Sequence, residues 1–136
     1  MAIRVYHAIR PTFGFGDSTT PRPEEFAHVA TVDVSDDLHH EVFRLTNSIE
    51  SYWWENEGVT AHTDASTFRE VNGIKGARST SVGDLIVLSD GRILRCANFG
   101  WDDITEDATE FWLKEVADHI RSEVAVATAA YKEANR

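Results

Sequence analysis

The chain has 136 residues, of which 42% are hydrophobic and 26% are charged, a composition typical of one globular domain. Its 23 acidic residues against 13 lysines and arginines give a formal charge of −10, which argues against binding to nucleic acid or to an anionic membrane. No apolar run has the roughly 20 residues that cross a bilayer, and the N-terminus lacks a signal-peptide pattern, so we expect a cytoplasmic protein. Cys96 is the only cysteine, which excludes an internal disulfide.

Two strands are predicted in the first third of the chain. Residues Ile3 to Ala8 alternate, with Ile3, Val5 and His7 on one side and Arg4, Tyr6 and Ala8 on the other. We expect one of these two sides to face water. A loop from residue 10 to 23 follows; its Phe-Gly-Phe-Gly run lacks the third glycine and the lysine of a phosphate-binding loop. The stretch from Phe26 to Val34 again predicts a strand.

A helix is predicted next. Ser35, Asp36 and Asp37 suit a helix start, because their side chains accept hydrogen bonds from unpaired backbone N–H groups. The apolar face has helical spacing and consists of Leu38, Val42, Leu45 and Ile49. Adjacent His39 and His40 point about 100° apart on a helix and do not suit one metal ion.

The segment from Ser51 to Ala77 is predicted to be irregular, with a mobile loop at about 55–77. We expect that Trp53 and Trp54 are not both buried, and that at least one lies at a concave or exposed apolar patch where a partner binds. His62 and Asp64, in the same segment, are candidates for metal binding or proton transfer, as is His7, but no third convergent ligand is visible and no metal or cofactor is expected.

A β-hairpin is predicted within residues 78–101. Asp90-Gly91 is typical of a two-residue turn with positive φ at both positions. That turn pairs Leu88 with Ile93 and Leu85 with Cys96. The resulting buried face consists of Leu85, Val87, Leu94 and Cys96.

A long C-terminal helix is predicted over about 105–133. Its length exceeds what one small domain covers, so its apolar overhang would support a homodimer. One face is acidic and is a candidate partner-binding surface, comprising Asp103, Asp107, Glu110 and Asp118.

Together these elements predict a single α+β domain over residues 1–136, in the order ββαββα. The expected architecture is an antiparallel or mixed sheet of about four strands with two helices, the second extending beyond the domain.

The hairpin and its flanks resemble the YodL-like family of small domains encoded by phages, plasmids and other mobile elements. The resemblance rests on SxSVGD at Ser79 to Asp84, the Asp90-Gly91 turn, and the exit at Phe99 to Trp101. Tyr6 to Asp17 and Leu45 to Asn56 are similar to accessory proteins of actinobacterial phages. The resemblance implies a small α+β domain that acts on host factors or host defence, and it implies no catalytic residues.

The leading functional hypothesis is a non-enzymatic accessory protein that binds and modulates a host protein, for host takeover or counter-defence. One alternative is an acidic DNA mimic that inhibits restriction or CRISPR systems through the acidic helix face. Another is a small hydrolase or nucleotide-processing enzyme that uses His62 and Asp64.

Overall fold

A computed structural model of the chain describes residues 2–10, 25–48 and 51–105. These ranges contain eight strands: β1 (Ile3–Ala8), β2 (Phe26–Val32), β3 (Val59–Ala61), β4 (Arg69–Val71), β5 (Ile74–Gly76), β6 (Leu85–Val87), β7 (Ile93–Ala97) and β8 (Gly100–Asp103). Six form one antiparallel sheet in the order β3-β2-β1-β6-β7-β8, and β4 pairs with β5 in a separate two-stranded ribbon. The helical elements that lie wholly within these ranges are α1 (Glu41–Leu45) and 3-10 turns at Asp36–Leu38 and Trp53–Glu55.

The predicted α+β class is therefore wrong, since the part of the chain that the structure describes is mostly β. In place of the helix predicted after β2, the structure has a 3-10 turn and the five-residue helix α1. The start of the predicted helix is altered because Asp36 does not cap it: the Asp36 carboxylate accepts hydrogen bonds from the N–H and hydroxyl of Ser89, at 2.9 and 2.7 Å. Leu38, expected on the buried face, is exposed as a result, whereas Val42 is fully buried.

Both faces of the sheet centre are buried, because side chains of β1 belong to a different hydrophobic cluster on each face. On one face Ile3 and Val5 pack with Trp53, Ile86 and Leu94 among others. The second face carries Tyr6, Leu85, Val87, Ile93 and Ile104. The expectation that one side of β1 faces water is wrong, because Ile3, Val5 and His7 are buried on one side and Tyr6 is buried on the other.

The β6–β7 hairpin has a three-residue loop and not the predicted two-residue turn. Gly91 N–H donates to Leu88 C=O at 3.0 Å, and Leu88 N–H donates to Arg92 C=O at 2.9 Å. Gly91 has φ of +96°, which confirms its predicted conformation, while Asp90 does not have positive φ. The extra loop residue moves the pairing by one position, to Leu85 with Arg95 and Val87 with Ile93.

That shift exchanges faces, because side chains alternate along a strand. Leu85 and Val87 pack with Ile93, and Ile86 packs with Leu94, so the predicted grouping of Leu85, Val87, Leu94 and Cys96 is wrong. All three residues of β6 are buried. The pattern of a strand that is apolar at every position does not indicate its register. The predicted register therefore depended on the turn type alone.

The segment predicted as a loop at about 55–77 contains β3, β4 and β5. The C-terminal helix predicted over about 105–133 lies almost entirely outside the described residues, and so does the homodimer contact assigned to it. Within residues 2–10, 25–48 and 51–105, no helix has the length and apolar character needed to cross a membrane.

Candidate functional site: an aromatic groove beside the β4–β5 ribbon

The two adjacent tryptophans differ in burial, although their rings contact each other with centroids 5.7 Å apart. Trp53 is fully buried in the core, where its indole N–H donates to the backbone carbonyls of Ala77 and Arg78 at 3.1 and 3.0 Å. Trp54 is partly buried and stacks on Tyr52, with ring centroids 4.6 Å apart and planes 9° apart. The prediction that the two tryptophans are not both buried is confirmed, since Trp54 lines an open groove beside Ala77.

The β4–β5 ribbon forms the facing wall of this groove. Its turn is Asn72-Gly73, with φ of 53° and 81°, and Val71 pairs with Ile74 across it. Two successive positive φ values are typical of a type I′ hairpin turn. Side chains alternate along each strand, so Val71 and Ile74 face the groove.

Gly76 allows the ribbon to approach Trp54 closely. A Cβ atom at Gly76 would lie 2.3 Å from Cη2 of the Trp54 indole, which is closer than two carbon atoms can pack. This glycine does not have positive φ, so contact with the indole, and not backbone conformation, requires it. The ribbon and the Tyr52–Trp54 stack thus form one continuous surface.

The resulting aromatic groove has a volume of about 520 Å³. Several large apolar side chains at the groove remain exposed to solvent: Ile9 by 44%, Tyr52 by 42%, Val71 by 66% and Ile74 by 43%. Contiguous exposed apolar surface on a folded chain is typical of a binding site. The groove also falls within the volume range of sites for small molecules and peptide side chains.

Two arginines line the groove. The guanidinium of Arg78 forms a two-point ion pair with Asp84, at 2.6 and 2.7 Å, and Asp84 is buried. The Asp84 carboxylate also accepts from the N–H groups of Ala8 and Ser81, and Arg78 donates to Ala8 C=O at 3.0 Å. These bonds hold the end of β1 against the segment that leads into β6, and they compensate the Arg78 charge.

Arg69 is exposed, and its guanidinium makes no hydrogen bond or ion pair with any residue that the structure describes. Its cross-strand partner is Gly76, which has no side chain. The other pair of the ribbon is Glu70 with Lys75, and alternation directs both to the opposite face. Arg69 therefore supplies an uncompensated positive charge at the groove.

A chain of buried hydroxyl groups lies behind the groove wall. Thr46 donates to Val42 C=O at 2.7 Å, so its oxygen accepts from the Thr80 hydroxyl at 2.7 Å. Thr80 then accepts from Nε2–H of His7 at 2.8 Å, which assigns the proton of the neutral imidazole to Nε2.

Burial holds His7 in this neutral form. It lowers the pKa of His7 to about 4, with a smaller contribution from the Arg78 charge. The Asp84 carboxylate, 3.9 Å from Nε2, acts in the other direction but is already paired with Arg78. His7 is therefore part of the core, where its ring contacts Trp53, and not an acid or base open to substrate.

The structure places His7 and His62, two of the residues predicted for an enzyme, on opposite faces of the sheet. His62 bonds to the Thr31 hydroxyl at 2.9 Å, and its ring lies 4.3 Å from the ring of His28. Burial lowers the pKa of His62, and the nearby positive charge of Arg4 lowers it further by a smaller amount. Asp64 is exposed and bonds to no described residue. Across the described ranges, no three His, Cys, Asp or Glu side chains are grouped to hold a metal ion.

The predicted partner-binding residues are divided by the structure. Trp54 lines the groove, whereas Trp53 contributes its ring to the core. Asp103 is exposed and accepts from the N–H and hydroxyl of Thr105 at 2.9 and 2.6 Å. The rest of the acidic face, at Asp107, Glu110 and Asp118, lies outside the described residues.

Sequence reasoning missed the ribbon and Arg69. Asn72-Gly73 is among the strongest short-range hairpin signals, yet the exposed three-residue strands beside it alternate too briefly to be recognised. Comparison of the chain with protein-family models, curated proteins and solved structures gives no match, so the YodL-like resemblance stays a prediction.

Proposed function

We propose that the chain is a non-enzymatic accessory protein of a phage or another mobile element, and that it binds a host protein in the bacterial cytoplasm through the aromatic groove. The observation that supports this proposal is the exposed apolar surface of Tyr52, Val71 and Ile74 around an open groove. Large aromatic side chains at a concave apolar surface supply much of the binding energy in protein interfaces. The buried, neutral His7 and its position on the face of the sheet opposite His62 favour binding over catalysis.

The test is affinity capture from a bacterial lysate with the immobilised full chain, followed by mass spectrometry. Tyr52→Ala removes an exposed ring from the groove, and Phe99→Ala is its matched control. Phe99 lies in the β7–β8 turn, is fully exposed and does not line the groove. We expect one host protein to be captured equally by the wild type and Phe99→Ala, and at least about fivefold less by Tyr52→Ala.

Equal capture of the same proteins by Tyr52→Ala would contradict the proposal, because the groove would then not be the contact surface. Loss of capture with both variants would also contradict it, since the response would not be specific to the groove. Circular dichroism of each variant checks that the fold is retained.

A further inference from the structure

The charge of the groove differs from that of the whole chain. The chain carries a formal charge of −10, yet among the described residues the groove is lined by two arginines and by no carboxylate. Buried Asp84 compensates Arg78, which leaves the Arg69 guanidinium as the charge available to a ligand. Because the surrounding surface is apolar, an anion that binds Arg69 here is less well screened by water than on an open surface.

The ribbon keeps its own carboxylate away from this guanidinium. Glu70 lies next to Arg69 in the chain, but alternation directs it to the other face, opposite Lys75. On the groove face, the residue opposite Arg69 is Gly76, and the Trp54 indole fills the space that a side chain at Gly76 would occupy. Arg69 is thus adjacent to an aromatic surface and has no acidic neighbour on the same face of the ribbon.

We propose that the groove binds a peptide segment of the partner protein in which an aromatic or large apolar side chain is flanked by carboxylates. The side chain would contact the Tyr52–Trp54 stack, Val71 and Ile74, and a flanking carboxylate would pair with Arg69. Guanidinium and carboxylate groups match in geometry and form two-point hydrogen bonds. This inference rests on the proposed function and names the chemistry of the partner at the same site.

An aromatic stack beside an arginine also fits a nucleotide, but the charge of the chain favours the peptide. Proteins that bind single-stranded nucleic acid use a positively charged groove that follows several phosphates. Here one uncompensated arginine lines the groove of a chain with charge −10, which would repel a polyanion beyond the first phosphate.

The test uses three peptides that share one phenylalanine and differ in charge: acetyl-GDFDG-amide, acetyl-GNFNG-amide and acetyl-GKFKG-amide. Their affinities for the full chain are measured by NMR titration, with the Trp54 indole N–H and the Gly76 amide as reporters of groove binding. We expect the acidic peptide to bind about fivefold more tightly than the neutral one and the basic peptide to bind most weakly. The preference for the acidic peptide should fall as salt is raised.

Arg69→Gln should make the acidic and neutral peptides bind equally. Lys75→Gln is the matched control, because it removes the same charge from the opposite face of the ribbon and should keep the fivefold preference. Equal binding of the acidic and neutral peptides to the wild type would overturn the inference, as would an equal response to Arg69→Gln and Lys75→Gln. Tighter binding of a five-nucleotide single strand than of the acidic peptide would overturn it in favour of a nucleic-acid ligand.

The two proposals fail in different ways. If the charge preference is absent while Tyr52→Ala abolishes capture of the host protein, the groove binds a partner of other chemistry and only the present inference is wrong. If no peptide binds and Tyr52→Ala captures the same proteins as the wild type, the groove is not a binding site and both are wrong.

Discussion

Arg69, at the start of β4, and Arg78, just after β5, line the same groove but have different surroundings. Arg78 is compensated by buried Asp84 and bonds to the backbone of Ala8, so it joins β1 to the segment before β6. Arg69 is exposed and makes no contact of this kind with the described part of the chain. Residue type and proximity to a groove therefore do not identify a binding residue. What distinguishes the two arginines is whether a carboxylate of the chain already pairs with the guanidinium.

Arg78→Ala should cause the largest loss of stability of the substitutions considered. A small loss would contradict the structural role of Arg78 and its contrast with Arg69. The substitution leaves the Asp84 carboxylate buried without its cation, which typically costs about 3–5 kcal/mol. Urea denaturation measures the free energy of unfolding. Arg92→Ala is the control, because Arg92 pairs with Asp90 on the exposed hairpin loop and should lose only about 0–1 kcal/mol. Similar losses for both variants would mean that the buried pair contributes no more than a surface pair.

The pH dependence of stability tests the interior behind Arg78. Burial lowers the pKa of His7 from 6.5 to about 4, so as the pH falls through this window the unfolded chain takes up a proton that the folded chain does not. Above pH 6.5, His7 should therefore contribute little to the pH dependence of the free energy of unfolding. Between pH 6.5 and pH 4, its protonation in the unfolded chain should lower that free energy by roughly 3 kcal/mol.

Urea denaturation at pH 7 and at pH 4 measures this loss. His7→Gln should show a smaller decrease than the wild type, and the difference isolates His7 from His62, whose pKa burial also lowers. His40→Gln, at an exposed position, should keep the decrease of the wild type. A His7→Gln variant with the full decrease would show that the imidazole is not held neutral.

Gly76→Ala should reduce stability less than Arg78→Ala does, and it tests the groove wall beside Arg69. The new methyl group would displace the Trp54 indole, at a cost of about 1–3 kcal/mol, and should also weaken binding of acetyl-GDFDG-amide. Lys75→Ala, at the next position of the same strand, is the control and should alter neither quantity. Unchanged peptide affinity in Gly76→Ala would show that the position of Trp54 does not matter for binding.

Parts of the fold could be predicted from the sequence where one local signal was sufficient. The bounds of β1, the conformation of Gly91 and the incomplete burial of the Trp53–Trp54 pair were predicted correctly. The hairpin register was not, because Asp90-Gly91 is compatible with both a two-residue and a three-residue loop, and the apolar β6 does not select between them.

The candidate site depends on contacts that sequence spacing does not show. The groove forms because the Asn72-Gly73 ribbon lies against Trp54, a contact between segments that are distant in sequence and that Gly76 permits. The surroundings of Arg69 and Arg78 differ because the fold brings Asp84 and the Ala8 carbonyl beside Arg78. Pairing of this kind is a tertiary property, so the sequence indicated the tryptophan but not the arginine.

The role of Arg69 in binding an acidic ligand is tested most directly by reversing its charge and measuring both stability and peptide binding. Arg69→Glu should keep the free energy of unfolding within about 0.5 kcal/mol of the wild type, because the side chain is exposed and bonds to no described residue. It should also reverse the peptide preference, so that acetyl-GKFKG-amide binds more tightly than acetyl-GDFDG-amide. A loss of stability comparable to that of Arg78→Ala, or an unchanged order of peptide affinities, would contradict the assignment of Arg69 to ligand binding.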